Sequence, residues 1–111
     1  MIDISVSSKD SVTLVEASGR VDSMSANQFG EALSTQIDGG HVSLVLDLSG
    51  VDYMSSAGLR EIVSALKKVK RASGDLRLAQ PSERVREVLE MAGLDTIFQI
   101  YGTQDEAMRS Y

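Results

Sequence analysis

Val42-Ser43-Leu44-Val45-Leu46-Asp47-Leu48-Ser49-Gly50-Val51-Asp52-Tyr53-Met54-Ser55-Ser56-Ala57-Gly58-Leu59 is the stretch that decides the fold. From Val42 to Leu48 nearly every side chain is apolar and many are branched, the composition of a central strand buried on both faces. After Ser49-Gly50 and a short connector, Leu59, Ile62, Val63, Leu66 and Val69 recur at helical spacing, with Arg60, Glu61, Lys67 and Lys68 on the other face. A helix is therefore expected from about Ala57 to Ala72, stopped by Ser73-Gly74. A buried strand feeding a helix in this way is half of a parallel crossover unit.

Working outward, the pattern repeats. Leu76-Arg77-Leu78-Ala79 reads as the next strand, and Pro81-Ser82-Glu83 opens a third helix carrying Val85, Val88 and Leu89. Gly93 followed by Leu94 resembles a Schellman ending, Ile97-Phe98-Gln99-Ile100 a last short strand, and Thr103 to Met108 a terminal helix. On the amino-terminal side, Ile2, Ile4 and Val6 alternate with polar residues, Lys9-Asp10 marks a turn, and Val12-Thr13-Leu14-Val15 resumes a strand that Gly19 closes. Ser23 and Ser25 are candidate N-caps for a first helix over roughly 25–37, in which Ala26, Phe29, Leu33 and Ile37 share one stripe and Asp38-Gly39-Gly40 forms the end. The expected architecture is α/β: one domain over 1–111, with a mixed sheet of about five strands and about four helices packed on it.

Composition narrows the function. The chain has 111 residues, no cysteine, and 16 acidic against 11 basic side chains for a formal net charge of -5. That balance is the reverse of a nucleic-acid footprint and disfavours anionic lipid. The absence of cysteine removes disulfides, thiolate catalysis and cysteine metal sites, and agrees with a reducing compartment. No apolar run approaches the ~20 residues of a membrane span, and the first residues lack the pattern of a leader. A cytoplasmic location and a monomeric free state are the expectations.

Chemistry has few places to sit. His41 is the only histidine and reads as an exposed strand-entry residue, so neither a triad nor a metal cluster can be assembled; no cofactor and no metal are expected. The glycines form no dinucleotide fingerprint and no P-loop. Attention falls on the strand-to-helix turn, because the carboxyl edge of a parallel sheet is where functional groups collect. Ser55 and Ser56 stand where a helix start presents unpaired amides and the positive end of its dipole. A hydroxyl there either caps the helix or carries a modification that those amides would hold. Asp22 either lines the same end of the sheet or caps the first helix, and Asp47 and Asp52 are either rim carboxylates or loop polar groups. The run Lys67-Lys68-Val69-Lys70-Arg71 reads as a solvated helix end.

At Val51-Asp52-Tyr53-Met54-Ser55-Ser56-Ala57-Gly58-Leu59 the chain resembles a STAS domain of the bacterial anti-sigma factor antagonist family. Gly19-Arg20-Val21-Asp22, Leu44-Val45-Leu46-Asp47-Leu48 and Met91-Ala92-Gly93-Leu94 extend the likeness over nearly the whole chain. The resemblance implies a non-enzymatic partner switch. The unphosphorylated antagonist binds an anti-sigma factor that is also a serine kinase of the GHKL type, thereby freeing a sigma factor; phosphorylation of a serine at the start of helix 2 breaks the complex, and a serine phosphatase reverses it. Alignment on Gly58-Leu59 puts the acceptor at Ser56, with Ser55 as the alternative. Ser55 stands where the family usually has aspartate, and Ala57 where it often has Ser or Thr. The same resemblance puts the partner surface at Asp22, Ser25, Asp52, Met54, Ser55, Ser56, Gly58 and Leu59. The alternative function is an unphosphorylated STAS subunit of a membrane transporter complex.

Overall fold

A computed structural model describes residues 2–111. Five strands form one sheet in the order β1-β2-β3-β4-β5. They are β1 (Ile2–Lys9), β2 (Val12–Val21), β3 (Ser43–Met54), β4 (Asp75–Ala79) and β5 (Ile100–Tyr101). β1 and β2 pair antiparallel, and every later pairing is parallel. The hairpin turns on Asp10 and Ser11, both at positive φ (52° and 69°), between the paired residues Lys9 and Val12. That two-residue turn with both centres left-handed matches the right-handed twist of the strands it joins.

The helices are α1 (Ala26–Asp38), α2 (Ser56–Arg71), α3 (Glu83–Met91) and α4 (Gln104–Arg109). α1, α2 and α3 cover one face of the sheet, burying Phe29, Leu33, Ile62, Val69, Val85 and Leu89 against Leu44, Leu46 and Leu48. α4 covers part of the other face, where Ala107 closes a smaller cluster over Val12, Leu14, Val45 and Ala79. β3 is thus buried on both sides, which accounts for its unbroken apolar run. Each of its fully buried Leu and Val side chains stabilises the fold by about 1.5–3 kcal/mol.

The structure departs from the sequence reading in three places. β3 does not stop at Leu48 but runs to Met54, so Ser49-Gly50 and the connector after it are strand. Gly50 is there because β2 passes close by: a Cβ on it would lie 2.7 Å from Ser18 Cβ and 3.1 Å from the Ala17 carbonyl oxygen. Gly19 does not close β2 either; it sits inside the strand at φ 104°, where the β2–β3 register shifts between Gly19 and Arg20. Such bulges need a residue free to adopt unusual backbone angles. Finally, the strand expected at Ile97–Ile100 is reduced to Ile100–Tyr101, because Leu94–Thr96 winds into a 3₁₀ turn instead. His41 is exposed just before β3.

Candidate functional site

The extension of β3 carries Met54 to the carboxyl edge of the sheet, opposite Val21 at the end of β2. There the Ser55 amide donates to the Val21 carbonyl oxygen at 2.8 Å, which fixes the chain as it leaves the strand. Ser55 is the N-cap of α2: its backbone is extended (φ -84°, ψ 170°), and its Oγ accepts from the Gly58 amide at 3.3 Å. Leu59 donates to the Ser55 carbonyl oxygen at 3.0 Å, closing the first turn. Ser56 is the first helical residue and is exposed; among the described residues no group hydrogen-bonds its hydroxyl. The two adjacent serines have therefore divided their work, one oxygen committed to the helix and the other facing solvent.

Gly58 lets α2 begin this close to the sheet. A Cβ there would run into Met54 Sδ and lie 2.6 Å from Val21 Cγ1, both in the core. Gly58→Val is accordingly expected to lower the free energy of unfolding by about 1–3 kcal/mol, the usual cost of overpacking, in a urea titration followed by circular dichroism.

Asp22 holds the neighbouring loop. Its Oδ1 accepts from the Met24 amide at 3.0 Å and the Ser25 amide at 3.1 Å, with the Ser25 hydroxyl oxygen 3.2 Å away. The two backbone bonds hold its carboxyl below the usual carboxylate range, so it stays charged. Ser25 precedes α1 but makes no hydroxyl cap to it. Its Oγ turns back to donate to the Arg20 carbonyl oxygen at 2.7 Å and accepts from the Asp22 amide at 3.0 Å. The hydroxyl cap expected of Ser25 is not made: the Asp22 carboxylate holds the Met24 and Ser25 amides of the loop before α1, and the Asp22 carbonyl oxygen accepts from the Ala26 amide at 2.9 Å.

Several residues expected at the partner surface lie elsewhere. Ser25 is 5% exposed, Met54 3% exposed, and Gly58 buried. These three shape the edge from beneath and offer a partner little area: Met54 ends β3 facing the core, Gly58 lies in the first turn of α2 against Met54 and Val21, and Ser25 is turned inward by its bonds to Arg20 and Asp22. Leu59 is half-buried against the main core. Asp22 is partly exposed, and Asp52 and Ser56 are exposed.

Asp47 leaves the site altogether. It is 3% exposed, within β3, and accepts from the Ser49 amide at 2.8 Å, Gln80 Nε2 at 3.0 Å and Gln104 Nε2 at 2.7 Å. It ties β3 to α4 on the far face, neither a rim carboxylate nor a loop residue.

Two features escaped the sequence reading. Met24, beside Asp22, is 92% exposed, an apolar side chain standing free on the loop. Arg20 stacks on Tyr53 with its guanidinium carbon 4.3 Å from the ring centroid and its Nε 4.0 Å from Asp22 Oδ2. The stack depends on which strands become neighbours, information that no local pattern holds.

At this end of the molecule the Ser56 hydroxyl is exposed at the start of α2, Asp52 and Met24 are exposed, and Asp22 is partly exposed. The chain belongs to the STAS domain family, whose match spans residues 3–107, and among its members it is an anti-sigma factor antagonist family protein. It is 32% identical over 107 residues to the anti-sigma-B factor antagonist of Listeria monocytogenes, covering 95% of this chain and 93% of that one. Its structure superposes with a TM-score of 0.91 on an anti-sigma factor antagonist from Mycobacterium paratuberculosis, at 27% identity and with 99% and 93% of the two chains covered. The fold is also that of the Bacillus cell fate determinant SpoIIAA in its phosphorylated form, at a TM-score of 0.75, 20% identity and 97% and 98% coverage. Among the described residues no helix is long and apolar enough to cross a membrane.

Proposed function

We propose that this chain binds an anti-sigma factor through the edge formed by the Asp22–Ser25 loop and the start of α2, and that phosphorylation of Ser56 by that partner ends the contact. The observation that carries this reading is the division between the two serines. Ser55 Oγ is occupied by the Gly58 amide, whereas the Ser56 hydroxyl is exposed on the first turn of a 16-residue helix. A phosphate at Ser56 gains from the dipole and the first-turn amides, so the modified fold is stable. The same group brings about -1.5 to -2 charges to a surface already holding Asp22 and Asp52, and a partner complementary to the unmodified edge loses its fit. Met24 supplies the apolar contact of the interface, and the anti-sigma factor is a serine kinase of the GHKL type opposed by a serine phosphatase.

Incubation with the anti-sigma factor and ATP, followed by peptide mass spectrometry, tests the assignment. The wild-type chain and Ser55→Ala should each take up one phosphate, and Ser56→Ala none. Transfer to Ser55 in the wild-type chain would move the acceptor by one residue, and the absence of transfer to any serine would refute the switch.

A further inference from the structure

Of the sheet's two edge strands, β5 is two residues long, whereas β1 is long and lacks the devices that normally keep such an edge unpaired. Exposed edge strands are usually kept short, bulged, interrupted by proline or charged at the centre. β1 spans eight residues, pairs with β2 in unbroken register from Ile2 to Lys9, contains no proline, and carries its two charges, Asp3 and Lys9, near its ends. Between them Val6 is 43% exposed, beside a groove of about 370 Å³ that Ile4 and Val6 form with Gln28, Ala32 and Thr35 of α1.

The hairpin sets which backbone groups face outward. In a two-residue hairpin the residues flanking the turn form a hydrogen-bonded pair, here Lys9 and Val12, and hydrogen-bonded pairs then alternate along the ladder. Asp3, Ser5, Ser7 and Lys9 are thus committed to β2, while the N–H and C=O groups of Ile4, Val6 and Ser8 point to the open edge.

We infer that two copies of this chain join edge to edge through β1, antiparallel, with Val6 on the two-fold axis. In that register Val6 meets Val6 of the second copy and Ile4 meets Ser8, so the outward groups exchange about six main-chain hydrogen bonds. Ser5 meets Ser7, and Asp3 meets Lys9 twice over, in the closely spaced pairs where opposite charges attract most. A shift of the axis to Ser5 or Ser7 takes Asp3 and Lys9 out of opposition and places Val6 against a different residue. Ile2 lies opposite Gly19 near the end of β2, and the two-fold axis reverses the second copy, so the two Ser56 edges lie at opposite ends of a ten-strand sheet. Both remain open, and the inference does not depend on what binds there.

Sedimentation equilibrium of the whole chain over a range of concentrations tests this, with charge variants. The average mass should rise from one chain toward two. Asp3→Lys and Lys9→Asp alone should each weaken association about tenfold, since each replaces two attractive pairs by two repulsive ones, and the two together should restore it to within about threefold. Hydrogen exchange at the amides of Ile4, Val6 and Ser8 should slow as the dimer forms. These residues are exposed or half-buried, and circular dichroism verifies that each variant folds. A single-chain mass at every concentration would overturn the inference, as would a dimer indifferent to both single variants.

Discussion

Ser56→Asp is expected to weaken binding of the anti-sigma factor by roughly 30- to 1,000-fold, while stability stays within about 1 kcal/mol of the wild type. The two effects separate because the charge meets different surroundings in each. In the free chain the carboxylate sits in solvent at the positive end of α2, where an anion gains about 0.3–1 kcal/mol. In the complex it is desolvated against a partner shaped for a hydroxyl, and an unpaired charge in an interface costs about 2–4 kcal/mol. Ser56→Ala removes a hydroxyl that has no partner among the described residues, and should bind within about threefold of the wild type. Titration calorimetry with the anti-sigma factor reads the binding, and thermal melts of the free variants read the stability. Equal loss of affinity in the Ala and Asp variants would mean that the hydroxyl, and not the absence of charge, is recognised.

Phe29→Ala should have the opposite profile, a large loss of stability through a residue no partner touches. Phe29 is fully buried in α1, within the core cluster that includes Val21, Ala26 and Leu33. Truncation removes the transfer free energy of the ring and leaves a cavity, together about 3–5 kcal/mol. Against the ~5–15 kcal/mol total of a domain this size, the variant is marginal at physiological temperature. Its denaturant midpoint should fall by a large fraction of the wild-type value with the slope unchanged. A loss under 1 kcal/mol would mean that α1 packs less tightly than its buried stripe indicates.

The elements that were legible from the residues are those in which one physical cause dominates. β3 announced itself because burial on both faces leaves no room for polar alternation, and α1 and α2 because each buries a single stripe. The misreadings share a cause as well. Gly19 and Gly50 look like turn residues, and each in fact serves a strand: Gly19 at a register shift, Gly50 where β2 approaches too closely for a Cβ. Extending β3 to Met54 then reverses the reading of Asp47, which becomes a buried anchor for Gln80 and Gln104. The serine turn was visible in outline. The division between Ser55 and Ser56 was not, since it rests on one hydrogen bond, from the Gly58 amide to Ser55 Oγ. Arg20 and Tyr53 lie more than thirty residues apart and meet only through the shifted β2–β3 register.

Intact-mass and peptide mass spectrometry on the chain recovered from its native cells, separated into the fraction bound to the anti-sigma factor and the free fraction, tests the central claim most directly. The expected result is a single phosphate on Ser56 in the free fraction, removable by phosphatase, and none in the bound fraction. Phosphorylated Ser56 within the bound fraction, or a free fraction that carries no phosphate under any growth condition, would contradict it.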